Sequence, residues 1–280
     1  MPQKLSGEVW TPLARRVLAP NAGPMTLDGT NSYVLSANDD PAAPTVVVDP
    51  GPLDDTHLAA LAERPVELVL ITHHHADHTE ASVEFAHRTG APVRALDPAF
   101  CINAEPLADG EEFTAAGVRI RVIATPGHTA DSVCFHLPDD EPHGGTARGS
   151  VITGDTMLGR GTTVIVHPEG TLRDYLDSLT TLRALGPATV LPAHGPSLPN
   201  LADASDSYLA HRATRLGHVR DALERAGLSA STDAATVAAV TDAVYHDTPA
   251  DVRFAAEASV RAQLAYFEEQ PQHAADAAAS

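Results

Sequence analysis

Apolar positions along this chain fall into two regimes. Up to about Leu201, short runs rich in Val, Ile and Leu recur between Gly, Pro and Asp: "NSYVL", "PTVVVDPG", "VELVLITH", "VRIRVIATPGH", "DSVCFHL", "SVITGD" and "ATVLPAHG". Runs of that length, closed by turn residues, predict seven strands. Between several of them lie segments with helical spacing, Asp55 to Arg64, Thr79 to Gly90 and Thr171 to Leu185, the last carrying Leu172, Leu176, Leu179 and Leu182. Such alternation predicts an α/β fold of layered sheets flanked by helices. After Leu201 the strand pattern stops. Three helical segments follow, Ser205 to Ala226, Ala234 to His246 and Ala250 to Glu269, which predicts a small helical domain at 205–270 behind a main domain at 1–204. The closing "HAADAAAS" has little to bury, so 271–280 is expected to be disordered.

Length and charge narrow the function. At 280 residues the chain is long for one domain and can bury a substantial core. Its 18 basic and 37 acidic residues leave a net charge of −19, which opposes attraction to phosphate backbones and anionic lipid. Nucleic acid and membrane surfaces are therefore not the expected partners. Cys101 and Cys134 form no CxxC pattern and read as reduced core thiols. With no apolar leader in "MPQKLSGEVW" and no run long enough to cross a bilayer, a cytoplasmic enzyme is expected.

The run "LVLITHHHADHTEAS" places four histidines and an aspartate in six residues directly after a predicted strand. A solvated loop is built more simply from Ser, Asn or Gly, so the run is either a compositional accident or a metal site. Zinc takes neutral imidazole and carboxylate, and a catalytic centre draws them from several chain segments. Such segments recur: His73, His75, Asp77 and His78 follow "VELVLIT", His128 follows "VRIRVIATPG", Asp155 follows "SVITG" and His194 follows "ATVLPA". Each sits just past a predicted strand, with Gly beside His128, Asp155 and His194, where loops at one sheet edge can converge. A lone strand-end histidine is more often a surface or core residue than a ligand. Here residue type, order and placement agree together, which argues against accident. No GxSxG elbow offers a serine nucleophile.

"HHHADH" is similar to the HxHxDH signature of the metallo-β-lactamase superfamily, and "TPGHT", "TGD" and "PAHGP" resemble its remaining metal-binding motifs in the same order. "NAGPMTLDGTNSYVL", "TPGHTADSVCF", "GDTMLGRGTTV" and "YLAHRATR" resemble the beta-lactamase-like protein 2 group in particular, over about Arg16 to Glu269. The resemblance implies a four-layer αββα sandwich followed by a small helical, winged-helix-like domain. It also implies two Zn2+ per chain, with Mn or Fe as substitutes. His73, His75 and His128 would hold the first metal, Asp77, His78 and His194 the second, and Asp155 would bridge them, while His74 points away. The implied chemistry is hydrolysis by metal-bound hydroxide, with Asp77 and Asp155 as catalytic carboxylates and Asp77 also moving a proton to the leaving group.

Substrate choice is a separate matter, because one metal centre can cleave several bond types. In the related glyoxalase II enzymes appended helices supply substrate-binding groups. Here Tyr208, His211, Arg212 and Arg215 recur at helical spacing, and they either bind substrate in the cleft or form an exposed charged face packed by Leu209 and Leu216. Gly29, Thr30 and Asn31 either floor the pocket or make an ordinary turn. Members resembling this branch include thioesterases acting on acyl carriers and single-strand-directed endoribonucleases. Residues 205–280 hold 11 acidic and six basic residues, a poor phosphate reader. An ester or thioester hydrolase acting on a small molecule or acyl carrier is thus expected first. An endoribonuclease comes second, and a mononuclear iron oxygenase of the same fold third.

Overall fold

The computed structural model describes residues 5–38, 40–141, 148–249 and 252–270. The expected disordered tail at 271–280 and the start of the third expected helix at 250–251 lie outside the described residues. One sheet runs in the order β1 (Glu8–Val9), β2 (Ala14–Leu18), β3 (Asn31–Leu35), β4 (Thr45–Val48), β5 (Val66–Leu70), β6 (Val93–Arg94). It is antiparallel as far as β4 and parallel from β4 to β6. The other runs β11 (Thr189–Pro192), β10 (Ser150–Gly154), β9 (Val133–Leu137), β8 (Val118–Ala124), β7 (Glu112–Ala115), with β10 and β11 parallel and the rest antiparallel. The helices are α1 (Asp55–Leu61), α2 (Ala76–Thr79), α3 (Ser82–Thr89), α4 (Leu172–Ala184), α5 (Leu201–Ala226), α6 (Ala234–Val244) and α7 (Arg253–Glu268).

Side-chain alternation builds the layers. On β4, Val46 and Val48 face the other sheet while Val47 faces outward. Across the gap Val118, Ile120 and Val122 of β8 and Val133, Phe135 and Leu137 of β9 complete the central core. Outside the first sheet, Leu58 and Leu61 of α1 and Phe85 of α3 cover Val47 and Val69. Outside the second, Leu172, Tyr175, Leu179 and Leu182 of α4 cover Val151, Cys134 and Val190. The result is the αββα sandwich. Helices α5 to α7 pack on one another through Val219, Leu223, Val237, Val240, Val260 and Leu264.

All seven expected strands are present, and β1, β2, β6 and β7 are additional. The pattern concealed β2 because Arg15 and Arg16 interrupt it; Arg16 lies over the Trp10 ring and pairs with Glu8. The helix expected from Thr79 to Gly90 is broken, since the Ala81 amide donates to Gly51 O at 3.1 Å and draws the chain away between α2 and α3. Helix α5 begins before the expected Ser205 because Asn200 caps it, accepting from the amides of Ala202 and Asp203. After Leu201 the described residues hold three helices and no strand, so the implied wing is not found among them.

At one rim the sheets are stitched together. The Asn31 amide donates to Ala193 O at 2.7 Å, and the Val133 amide to Thr72 O at 2.8 Å. Gly154, at φ +50°, ends β10 against Thr72, where a Cβ would stand 2.8 Å from the Thr72 Cβ. Any side chain there would push the end of β10 off the end of β5.

Candidate metal centre

Each expected ligand lies just past the end of a strand on the stitched rim. His73, His75, Asp77 and His78 follow β5, His128 follows β8, Asp155 follows β10 and His194 follows β11. All seven converge. Nε2 of His73 and Nε2 of His128 lie 3.1 and 3.0 Å from Nδ1 of His75. Nε2 of His194 lies 3.2 Å from both Asp77 Oδ2 and Asp155 Oδ1, and Nε2 of His78 lies 3.3 Å from Asp77 Oδ2. Asp155 stands between the groups, its Oδ1 toward His194 and its Oδ2 3.6 Å from His128 Nε2.

The outward-facing nitrogens decide what the inward ones carry. His128 Nδ1 donates to Val164 O at 2.9 Å. Thr72 Oγ1 donates to Asp49 Oδ2, so it accepts from His73 Nδ1. His75 Nε2 donates to Glu169 Oε1 at 3.2 Å. Three bare nitrogens therefore face one point, an arrangement that repels itself unless a cation sits there. Zinc at 2.0–2.1 Å from each in a tetrahedron would set them about 3.3 Å apart, close to the separations seen. In the second group, His78 Nδ1 donates to Asp49 Oδ2 at 2.8 Å and His194 Nδ1 to Gly29 O at 3.1 Å, again leaving Nε2 inward. His78 Nε2, His194 Nε2 and Asp155 Oδ1 are buried and have no well-directed hydrogen bond, though oppositely charged atoms lie near. Buried nitrogen and carboxylate atoms left in that state beside one another suit a bound cation. The donor set fits divalent metal.

Electrostatics agree. Burial, reinforced by the neighbouring imidazoles of His78 and His128, holds His73 well below its ordinary value, and burial also lowers His128. Burial pushes Asp77 and Asp155 up, but the surrounding imidazoles, His78 foremost for Asp77 and His194 for Asp155, outweigh it and keep both carboxyls well below the usual carboxylate range. Burial likewise lowers His194, yet Asp155 beside it prevails and raises it to about 10. In the metal-free chain a proton stands where a cation would be.

His74 does point away, to Asp131 Oδ1 and Glu169 Oε1, both at 2.7 Å. The expected substrate-binding set on α5 divides. Tyr208 and Arg212 are buried, with the Tyr208 hydroxyl clasping Leu158 and Arg212 Nη2 donating to Thr163 O. His211 and Arg215 are half-buried, and Arg215 lies over the Tyr245 ring. Gly29, Thr30 and Asn31 prove to be braces: Gly29 O holds His194, Thr30 Oγ1 reaches Asp77 Oδ2 at 3.3 Å, and Asn31 Nδ2 donates to Pro192 O and Gly195 O.

Sequence reading missed Asp49 and Glu169. Asp49 is buried, sits in the left-handed region at φ +51°, and binds the Thr72 amide and hydroxyl as well as His78. Its signal was an aspartate closing an otherwise apolar strand run. Glu169 carries no comparable signal.

Bare imidazole nitrogens gathered with carboxylates at the rim of a two-sheet sandwich define a metal-dependent enzyme. The sequence profile of the Metallo-beta-lactamase superfamily matches residues 25–194. The atrochrysone carboxyl ACP thioesterase of Aspergillus fumigatus is 30% identical, covering 88% of this chain and 77% of its own. The beta-lactamase-like protein 2 homolog of Caenorhabditis elegans is 31% identical, covering 89% and 82%. In fold, a metallo-beta-lactamase family protein from Thermus thermophilus superposes with a TM-score of 0.73 at 22% identity over 93% of this chain and 95% of that one. The chain belongs to the metallo-beta-lactamase superfamily of hydrolases. Among the described residues no helix is long and apolar enough to cross a membrane.

Proposed function

We propose that the chain is a dinuclear metal hydrolase acting on an ester or thioester, on a small molecule or an acyl carrier. The observation that carries this reading is the Asp155 carboxylate standing between two groups of inward-facing imidazoles. His73, His75 and His128 would hold one ion, Asp77, His78 and His194 the other, and Asp155 both. Two zinc-type ions would lower the pKa of a water from 15.7 to about 7 and polarise the acyl oxygen. The chain's own residues do the rest. Asp155 would offset the charge of the ions it held. Asp77 spends Oδ2 on His78, His194 and Thr30, which leaves Oδ1 to carry a proton to the leaving group.

A thioester is favoured by the relative named as an ACP thioesterase, whose likeness spans the helical domain as well. RNA is disfavoured by the acidic surplus of residues 205–280 and by the lack of wing strands among the described residues. The test sets metal-replete protein against acyl thioesters, esters and labelled single-stranded RNA, with Asp155→Asn as the control for contaminating enzymes. Thioester or ester turnover that is lost in the variant is expected. Variant-sensitive RNA cleavage without acyl turnover, or one iron per chain with no hydrolysis, would overturn the proposal.

A further inference from the structure

Between Gly154 at the end of β10 and Leu172 at the start of α4 the chain forms no helix or strand. A connection of that length draws its order from side-chain contacts. Glu169 of this connection accepts from His75, and two adjacent residues further back hold two more of the candidate ligands. Thr163 Oγ1 donates to Asp155 O at 2.7 Å, and Val164 O accepts from His128 Nδ1 at 2.9 Å. One short piece of chain thus fixes the backbone of the central carboxylate and the ring of a histidine in the other group.

The same piece is held from behind by the helical domain. Arg212, on α5 and 4% exposed, donates through Nη2 to Thr163 O at 2.5 Å, and its guanidinium lies over the Tyr175 ring with Cζ 4.9 Å from the centroid. Tyr175 in turn donates its hydroxyl to Thr156 O at 2.7 Å. One turn before Arg212, the Tyr208 hydroxyl accepts from the Leu158 amide at 2.9 Å and donates to Leu158 O at 3.1 Å. Among the described residues no carboxylate lies within 4.0 Å of Arg212, and its Nε is buried without a partner. A guanidinium so placed is not an ion-pair partner or a surface charge. Its directed contacts are a carbonyl on the ligand-bearing loop and an aromatic face that sets its plane.

We infer, resting on the reading of Asp155 and His128 as metal-holding residues, that Arg212 is a positioning residue for the metal centre. It clamps the Thr163 carbonyl, and through Thr163 and Val164 it aims Asp155 and His128. The helical domain therefore acts on the centre from its buried side, and Arg212 does not meet substrate.

The test uses the full chain with Arg212→Met, which keeps the stem against Tyr175 but has no donor, and Arg212→Lys, which restores one. Zinc affinity is read by competition with a chromophoric chelator, beside kcat and KM on an acyl thioester and the melting temperature. Arg212→Met should weaken metal binding by about tenfold or more, as loss of groups that orient ligands does. Its kcat should fall while KM stays within about twofold, and Arg212→Lys should recover most of the loss. Unchanged metal affinity with a raised KM would overturn the inference and make Arg212 a substrate contact. If Arg212→Met does not fold, Thr163→Val, which keeps the shape but removes the hydroxyl that donates to Asp155 O, carries the test: metal affinity equal to wild type in it overturns the inference. A wild-type chain that takes up no metal in the same titration removes the metal centre itself, and the brace with it.

Discussion

Replacing Asp49 by Asn keeps the shape of a buried side chain and changes which of its atoms can accept. Asp49 is 1% exposed and serves three donors: the Thr72 amide at 2.8 Å, the Thr72 hydroxyl at 2.7 Å and His78 Nδ1 at 2.8 Å. An amide has one oxygen. The Thr72 backbone N–H cannot reverse, so that oxygen stays with it and the NH2 group faces His78. The Thr72 hydroxyl can turn and accept, but a ring N–H pointing at an NH2 cannot stay. His78 must move its proton to Nε2, the atom needed inward, and the loss of a hydrogen bond to a charged group weakens the fold by about 1.5–3 kcal/mol. Metal affinity should fall by about 10- to 100-fold, roughly 1.4–2.7 kcal/mol, as when other outer partners of ligand histidines are removed. The assay is chelator competition on protein whose fold is checked by circular dichroism. A folded variant with metal affinity within about twofold of wild type would show that Asp49 does not set the His78 tautomer.

Asp155→Asn should reduce turnover by on the order of a hundredfold or more and lower the metal content below two per chain, read by elemental analysis. Retention of both would mean that the carboxylate between the two groups is not a bridge. Because His194 is raised to about 10 in the metal-free chain, metal uptake at pH 7 should release at least one proton, and that release should fade above about pH 10. Titration calorimetry in buffers of different ionisation enthalpy reads it; identical heats would contradict it. His57 is held neutral by burial, its pKa lowered from 6.5 to about 4. The unfolded chain takes up that proton first as pH falls, so stability present above 6.5 is lost between there and about 4, by about 3 kcal/mol. Denaturant melts of wild type and His57→Gln should therefore diverge across that window, and parallel curves would exclude it.

The centre was legible because its candidate ligands come in short local patterns, each just past a strand whose apolar run is readable by itself. The sandwich was legible for the same reason at β3, β4, β5 and β8 to β11. What stayed hidden depends on partners far along the chain. Asp49 looks like the polar end of a strand until His78 is set against it. In β2, Arg16 hides the run, and only the ring of Trp10 shows why it is tolerated there. Helical spacing put Tyr208 and Arg212 on one face of α5 but did not say that the face meets the backbone of Leu158 and Thr163 instead of solvent. Glu169 is a loop glutamate among many until His74 and His75 reach it.

The stitched rim also bears on how the protein assembles. His73 to His78 follow a strand of the first sheet, while His128, Asp155 and His194 follow strands of the second. No ion can meet its full set until both sheets have formed and docked, a non-local event that comes late in folding. Contacts absent from the transition state slow unfolding and leave the folding rate alone. Stopped-flow refolding should then run equally fast with zinc or with a chelator, whereas unfolding should be markedly slower with zinc. The metal would act as a latch on the finished sandwich, and chelation would shorten the lifetime of the native state without hindering its formation.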